Sequence, residues 1–181
     1  MSVAPSSTPL GAGSYPAVEK AGVKVAGLVP ATVEKIKQAM ERFPRPLSAV
    51  LPALHAVYEQ FGYLDEPMYE AIAEVLGVTR TEVAEAATFY TLFPKQPVGK
   101  NLIMVCKNIS CALRGADNLI SYLEKKLGIK VGETRPDGKF TIWKVECLGS
   151  CGTAPMVQVN DAYHENLTRA KVDALLEKLE K

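Results

Sequence analysis

Four cysteines are the residues of this sequence whose type and spacing indicate chemistry. Four residues separate Cys106 from Cys111, and three residues separate Cys147 from Cys151. The N-terminus lacks the cationic start and apolar block of a secretory signal. We therefore expect a reducing compartment, in which disulfides are disfavoured. Two tight pairs of cysteines in such a chain indicate a metal site or redox chemistry.

The spacing of the cysteines is compatible with more than one kind of site. Iron–sulfur clusters are held by four thiolates. Structural zinc also uses four cysteines in closely spaced pairs. A dithiol redox enzyme usually has the spacing Cys-x-x-Cys, which neither pair shows. The spacing therefore disfavours the dithiol enzyme and leaves iron and zinc open.

The predicted elements around the cysteines can bring the two pairs together. Each pair begins where a predicted strand ends, at residues 102–106 and at residues 140–146. Loops at the ends of neighbouring strands can converge, whereas strand interiors cannot. Glycine and serine in the two loops let backbone N–H groups approach sulfur, which offsets the negative charge of a thiolate.

The other elements of the second half predict a compact α/β domain. Apolar residues from Ala116 to Leu127 have the spacing of an amphipathic helix. A short strand at residues 156–159 precedes a hairpin turn at residues 160–161. A final apolar stripe predicts a closing helix. The order strand, helix, strand, strand, helix predicts helices packed on a small sheet within residues 96–181.

The first half predicts a purely helical unit. Three apolar stripes at helical spacing, the last two followed by Gly62 and Gly77, precede a capping box formed by Thr79 and Glu82. This pattern predicts a bundle of four helices, from the first stripe to an apolar stretch that runs through Phe93. We assign the bundle to residues 31–95. Residues 1–30 are rich in Pro, Ser, Gly and Ala and are predicted to be a flexible tail.

Charge and hydropathy argue against nucleic acid and membrane as direct partners. The formal net charge is +1, and residues 31–95 carry six Lys and Arg against nine Asp and Glu. Residues 71–90 resemble a helix-turn-helix, but a protein that binds DNA needs a basic face to neutralise phosphates. No apolar run is long enough to span a bilayer. We expect neither nucleic-acid binding nor direct membrane insertion.

Motifs beyond the cysteines resemble one known family. They are ATFYTLF (87–93), SCALRGAD (110–117), DGKFTIWKVECLGSCGTAPMVQVND (137–161) and YHENLT (163–168). Together with the cysteine spacing, these motifs resemble the thioredoxin-like [2Fe–2S] subunit of NADH:quinone oxidoreductase, respiratory complex I. The resemblance covers residues 31–181.

The resemblance implies a fold and a set of ligands. The fold class is α+β, with an N-terminal helical bundle followed by a thioredoxin-like α/β [2Fe–2S] ferredoxin domain. The family's cluster ligands match Cys106, Cys111, Cys147 and Cys151, and no residue matches a catalytic role. Pro155 matches a proline that precedes a strand near the active loop of thioredoxin-like folds. A cis peptide bond is therefore expected before it.

The resemblance also implies partners and a location. Members of this family dock on a larger subunit that binds NADH and FMN, within the peripheral arm of complex I. The chain is expected to exchange single electrons with that FMN, to dock through residues 31–95, and to lack a complete active site. Its location would be cytoplasmic, peripheral to the inner (cell) membrane through the complex. The same module occurs in NAD-linked formate dehydrogenases and hydrogenases, so such a host is the alternative.

Overall fold

The computed structural model describes residues 27–181, so most of the predicted tail lies outside the described residues. The chain divides into two compact units, of which the first ends at Tyr90 and the second spans Thr91–Lys181. Among the described residues, no helix has the length and apolar character needed to cross a membrane.

The first unit is helical. Its elements are α1 (Pro30–Glu41), α2 (Val50–Phe61), α3 (Glu66–Leu76) and α4 (Arg80–Phe89), with a 3₁₀ turn at Pro46–Ala49 that the apolar pattern did not predict. The buried faces of these helices carry the predicted apolar stripes, among them Ile36, Leu54 and Ile72, each of which is fully buried. The predicted bundle of four helices is therefore present in this unit.

Local chemistry determines where the helices of the first unit end. Gly62 and Gly77 take up the left-handed conformation directly after α2 and α3, as predicted. Two other helices end before apolar residues that follow them: α1 ends before Phe43, and α4 ends before Phe93, the last residue of the predicted apolar stretch. Each of these phenylalanines precedes a proline, whose ring disfavours helical backbone at the preceding residue.

The second unit combines a sheet with three helices. Its elements are β1 (Asn101–Cys106), α5 (Ile109–Leu113), α6 (Ala116–Leu127), β2 (Phe140–Val145), β3 (Val157–Val159), β4 (Ala162–His164) and α7 (Arg169–Glu180). The strands lie in the order β2-β1-β3-β4. The strand β1 pairs in parallel with β2 and antiparallel with β3, and β4 is antiparallel to β3.

The core of the second unit lies between the sheet and the helices α6 and α7. Every residue of β1 is buried, as expected for a central strand. The buried cluster includes Ile103, Val105, Leu119, Leu123, Phe140, Ile142, Val157, Val172 and Leu176. Ile103 and Val105 alternate along β1, and Phe140 and Ile142 alternate along β2, so one face of each strand contributes to this core.

Candidate metal centre

The two cysteine pairs follow the carboxyl ends of adjacent parallel strands. Cys106 is the last residue of β1 and lies opposite Val145, the last residue of β2, and Cys147 follows two residues later. The N–H of Lys107 donates to the carbonyl of Val145 at 3.0 Å. The Lys107 ammonium pairs with the Glu146 carboxylate at 2.9 Å. Strand pairing therefore starts both loops side by side at one edge of the sheet.

The first pair, Cys106 and Cys111, lies in the interior. The two residues are 4% and 2% exposed, and they pack with Ala116, Ala154 and Met156. Cys111 lies in the short helix α5 rather than in the irregular loop that its neighbours suggested. Asn108 begins this helix, since its side chain accepts a hydrogen bond from the N–H of Ile109 at 2.8 Å.

The second pair, Cys147 and Cys151, is exposed. Its two sulfur atoms lie 3.7 Å apart. The N–H of Gly149 donates to the Sγ of Cys147 at 3.3 Å, and Gly149 has a φ of +83°, a conformation that favours glycine. Cys151 opens a 3₁₀ turn, Cys151–Thr153. The predicted loop therefore presents both thiols on the surface.

The thiols interact within each pair and between the pairs. Burial raises the pKa of the Cys111 thiol, and its hydrogen bond with Cys106 raises this pKa further. The hydrogen bond with Cys147 is the main cause of a raised pKa at Cys151. Electrostatic effects cross between the pairs, from Cys151 to Cys111 and from Cys106 to Cys151. The structure therefore brings the four predicted site residues close enough to interact, Cys106 with Cys111 and Cys147 with Cys151.

Hydrogen-bond donors around the sulfur atoms favour their charged form. A backbone hydrogen bond from Met156 opposes the raised pKa of Cys111, and the Ser110 hydroxyl does the same at Cys151. The Gly149 N–H supplies another donor. Metal-bound thiols are deprotonated, and hydrogen bonds to sulfur stabilise that charge. The donor set therefore fits a site for a metal cluster.

The paired arrangement bears on which metal the site fits. Structural zinc needs four ligands around a single ion. A [2Fe–2S] cluster distributes its four ligands over two irons. Four thiolates grouped as two pairs match the ligand set of a binuclear cluster, with one pair for each iron.

Two residues with no predicted role, Tyr163 and Glu165, form hydrogen bonds with the loop that carries Cys147 and Cys151. The Glu165 carboxylate accepts hydrogen bonds from the hydroxyls of Ser150 and Thr153, the latter at 2.6 Å. The Tyr163 hydroxyl donates to the carbonyl of Leu148 at 2.6 Å. The motif YHENLT contains Tyr163 and Glu165, but nothing local in the sequence indicates which loop they contact.

The segment after Cys151 contains the expected cis peptide bond, between Ala154 and Pro155. Two backbone hydrogen bonds tie this segment to the turn before α7. The N–H of Asn166 donates to the carbonyl of Thr153 at 2.7 Å. The N–H of Leu167 donates to the carbonyl of Pro155 at 3.0 Å. The cis proline therefore lies between the exposed cysteine pair and β3.

A mixed sheet in the order β2-β1-β3-β4 with helices packed on it is the arrangement of a thioredoxin-like domain. The chain belongs to the thioredoxin-like [2Fe–2S] ferredoxin family, whose model matches residues 36–180. The predicted family and the predicted fold class, N-terminal helices followed by a thioredoxin-like [2Fe–2S] domain, are confirmed.

Three relatives are subunits of one kind of oxidoreductase. The chain is 49% identical to an NADH-quinone oxidoreductase subunit of Rhizobium meliloti, over 80% of this chain and 86% of that protein. It is 47% identical to a subunit of the same enzyme from Thermus thermophilus, over 71% and 72%. It is 45% identical to the corresponding subunit of Rickettsia conorii, over 74% and 80%. These names support an electron-transfer subunit with a [2Fe–2S] cluster.

Two solved structures with a similar fold come from a different enzyme. The NAD+-reducing [NiFe]-hydrogenase in the air-oxidized state matches 78% of this chain with a TM-score of 0.62 at 23% identity. Its H2-reduced state matches 72% of this chain with a TM-score of 0.63 at 24% identity. The present chain covers only 24% and 22% of those chains. At this identity the similarity shows the fold alone.

Proposed function

We propose that this chain is an electron-transfer subunit of NADH:quinone oxidoreductase and that it holds one [2Fe–2S] cluster on Cys106, Cys111, Cys147 and Cys151. The observation that carries the proposal is the grouping of four thiols into two pairs at one edge of the sheet. Membership of the [2Fe–2S] ferredoxin family supports the cluster, and the names of the relatives support the host complex.

The residues of this chain bind and shield a redox group, and no proton transfer is needed from them. When bound, a [2Fe–2S] cluster with four thiolate ligands supplies one-electron chemistry at a low reduction potential. Cys106 and Cys111 lie in the core and exclude water from one side of the site. Cys147 and Cys151 are exposed, so a partner can approach on the other side.

The oxidation of NADH belongs to a partner subunit. NADH delivers a hydride, which is an electron pair, so a flavin is needed to divide the pair into single electrons. We place FMN and NADH on a larger partner and assign single-electron exchange to the cysteine site of this chain, which then has no complete active site of its own. Residues 31–95 would dock on that partner. Other peripheral-arm subunits would hold the chain on the cytoplasmic side of the inner membrane.

The equivalent subunit of an NAD-linked hydrogenase or formate dehydrogenase is the second candidate. The fold similarity to the NAD+-reducing [NiFe]-hydrogenase fits this alternative. The NADH-quinone oxidoreductase subunits named above are 45–49% identical to this chain, whereas the hydrogenase chains are 23–24% identical. Sequence identity therefore favours the quinone oxidoreductase as host.

Purification of the intact complex from its native cells through a tag on this chain tests the proposal. We expect FMN, NADH-dependent quinone reduction, and reduction of the binuclear cluster on addition of NADH. A Cys147→Ala variant should remove that cluster from the complex. Co-purified nickel or molybdenum with hydrogenase or formate dehydrogenase activity would support the alternative host. A complex without flavin, or a cluster that NADH does not reduce, would contradict both.

A further inference from the structure

The turn that follows β4 holds the exposed cysteine loop. We infer that Glu165 is a positioning residue for Cys147 and Cys151 and that its charge lowers the midpoint potential of the bound cluster. This inference rests on the function proposed above. It concerns a residue that touches neither of the two thiols and acts through the residues around them.

The contacts of Glu165 lie on both sides of Cys151. Ser150 directly precedes this cysteine and Thr153 follows two residues later, and the same Oε1 atom of Glu165 accepts from both hydroxyls. The two hydroxyls also lie 2.7 Å from each other. One carboxylate oxygen therefore accepts from a hydroxyl on each side of Cys151 and joins the two ends of this short segment.

Further hydrogen bonds join residues next to Glu165 to the loop that carries Cys147 and Cys151. The Tyr163 hydroxyl donates to the carbonyl of Leu148, which follows Cys147. The N–H of Asn166 donates to the carbonyl of Thr153. Cys147 and Cys151 are exposed, whereas Cys106 and Cys111 are buried. Side-chain packing therefore holds the second pair less firmly than the first. Hydrogen bonds from residues 163–166 therefore determine much of the loop's position.

Among the described residues, the Glu165 carboxylate forms no ion pair, and the nearby Lys171 ammonium instead donates to the carbonyl of Asn166 at 3.0 Å. Hydrogen bonds from Ser150 and Thr153 lower the pKa of this carboxyl group, so it is ionised at neutral pH. Between residues 27 and 181, no Lys or Arg forms an ion pair with it, whereas Glu146 at the base of the same loop pairs with Lys107. A negative charge close to a cluster disfavours the addition of an electron, which lowers the reduction potential.

Two substitutions at Glu165 separate its charge from its hydrogen bonds. Glu165→Gln removes the charge but retains a carbonyl oxygen that can accept from both hydroxyls. Glu165→Ala removes the charge and the acceptor. Glu177→Gln is the matched control, because Glu177 is exposed near the end of α7, where the Leu179 carbonyl accepts from Asn101 at the start of β1, and Cys106 is at the other end of that strand. The full-length chain is purified anaerobically with its cluster, and two quantities are measured: the midpoint potential by EPR-monitored titration, and the rate of iron loss to a chelator.

We expect Glu165→Gln to have a higher midpoint potential than the wild type and Glu177→Gln. At the wild-type midpoint, its ratio of reduced to oxidised cluster should rise a few-fold, while iron loss stays near the wild-type rate. Glu165→Ala should lose iron several-fold faster than Glu165→Gln.

A midpoint potential of Glu165→Gln equal to that of Glu177→Gln overturns the inference, and so does an equal rate of iron loss from all the variants. A wild-type protein without a binuclear cluster instead overturns the proposed function, and this is seen before any variant is compared.

Discussion

The burial of the individual thiols gives the site a closed side and an open side. Cys106 and Cys111 are almost completely buried, whereas Cys147 and Cys151 are exposed. Because both pairs start from the same sheet edge, the difference arises from what covers them. The helix α5 places Cys111 against Ala116 and Met156, while the second loop stays on the surface. At the residue scale, the chain therefore protects one half of the site and leaves the other half accessible.

Gly99 provides a test of the packing that supports this sheet. A Cβ atom at this position would lie 2.8 Å from backbone atoms of Phe140, which cannot rotate away, and the Gly99 N–H donates to the Thr141 hydroxyl at 2.7 Å. We expect Gly99→Ala to lower the free energy of unfolding by about 1–3 kcal/mol, the usual cost of overpacking. Denaturant unfolding of the full chain measures this change. A variant as stable as the wild type would show that the strand moves to accommodate the methyl group.

Among the elements, the helices were predicted most completely, because local chemistry determines where they begin and end. Gly62 and Gly77 end α2 and α3, and the capping box begins α4. The short helix α5 was not predicted, since one turn of helix is too brief to show an apolar period. The contact of Glu165 with Ser150 was also not predicted, because it joins residues 15 positions apart through tertiary structure.

The capping box of α4 can be tested by a pair of threonine substitutions. The Thr79 side chain accepts from the N–H of Glu82, and the Glu82 carboxylate accepts from the N–H of Thr79 at 2.8 Å. We expect Thr79→Ala to lower the free energy of unfolding by roughly 1 kcal/mol, the typical cost of losing such a cap. Thr81→Ala is the matched control, because Thr81 is exposed in the first turn of the same helix. Equal losses in both variants would show that the cap does not stabilise the helix.

At the scale of the whole molecule, the site exists only in the folded second unit. Its four cysteines come from two segments that are far apart in sequence, and the parallel pairing of β1 with β2 brings these segments to one edge of the sheet. The sequence predicted that a strand ends before each pair. It could not predict the order β2-β1-β3-β4 or the parallel register, because these depend on which strands share a core. The convergence of the thiols was therefore an expectation until the fold was known.

EPR spectroscopy of the anaerobically purified, reduced full-length chain, with iron and acid-labile sulfide measured on the same sample, tests the central claim most directly. Two thiol pairs at one sheet edge predict one binuclear cluster per chain, with iron and sulfide in equal amounts. Zinc without iron or sulfide, or a colourless protein without iron after oxygen-free handling, would contradict the account.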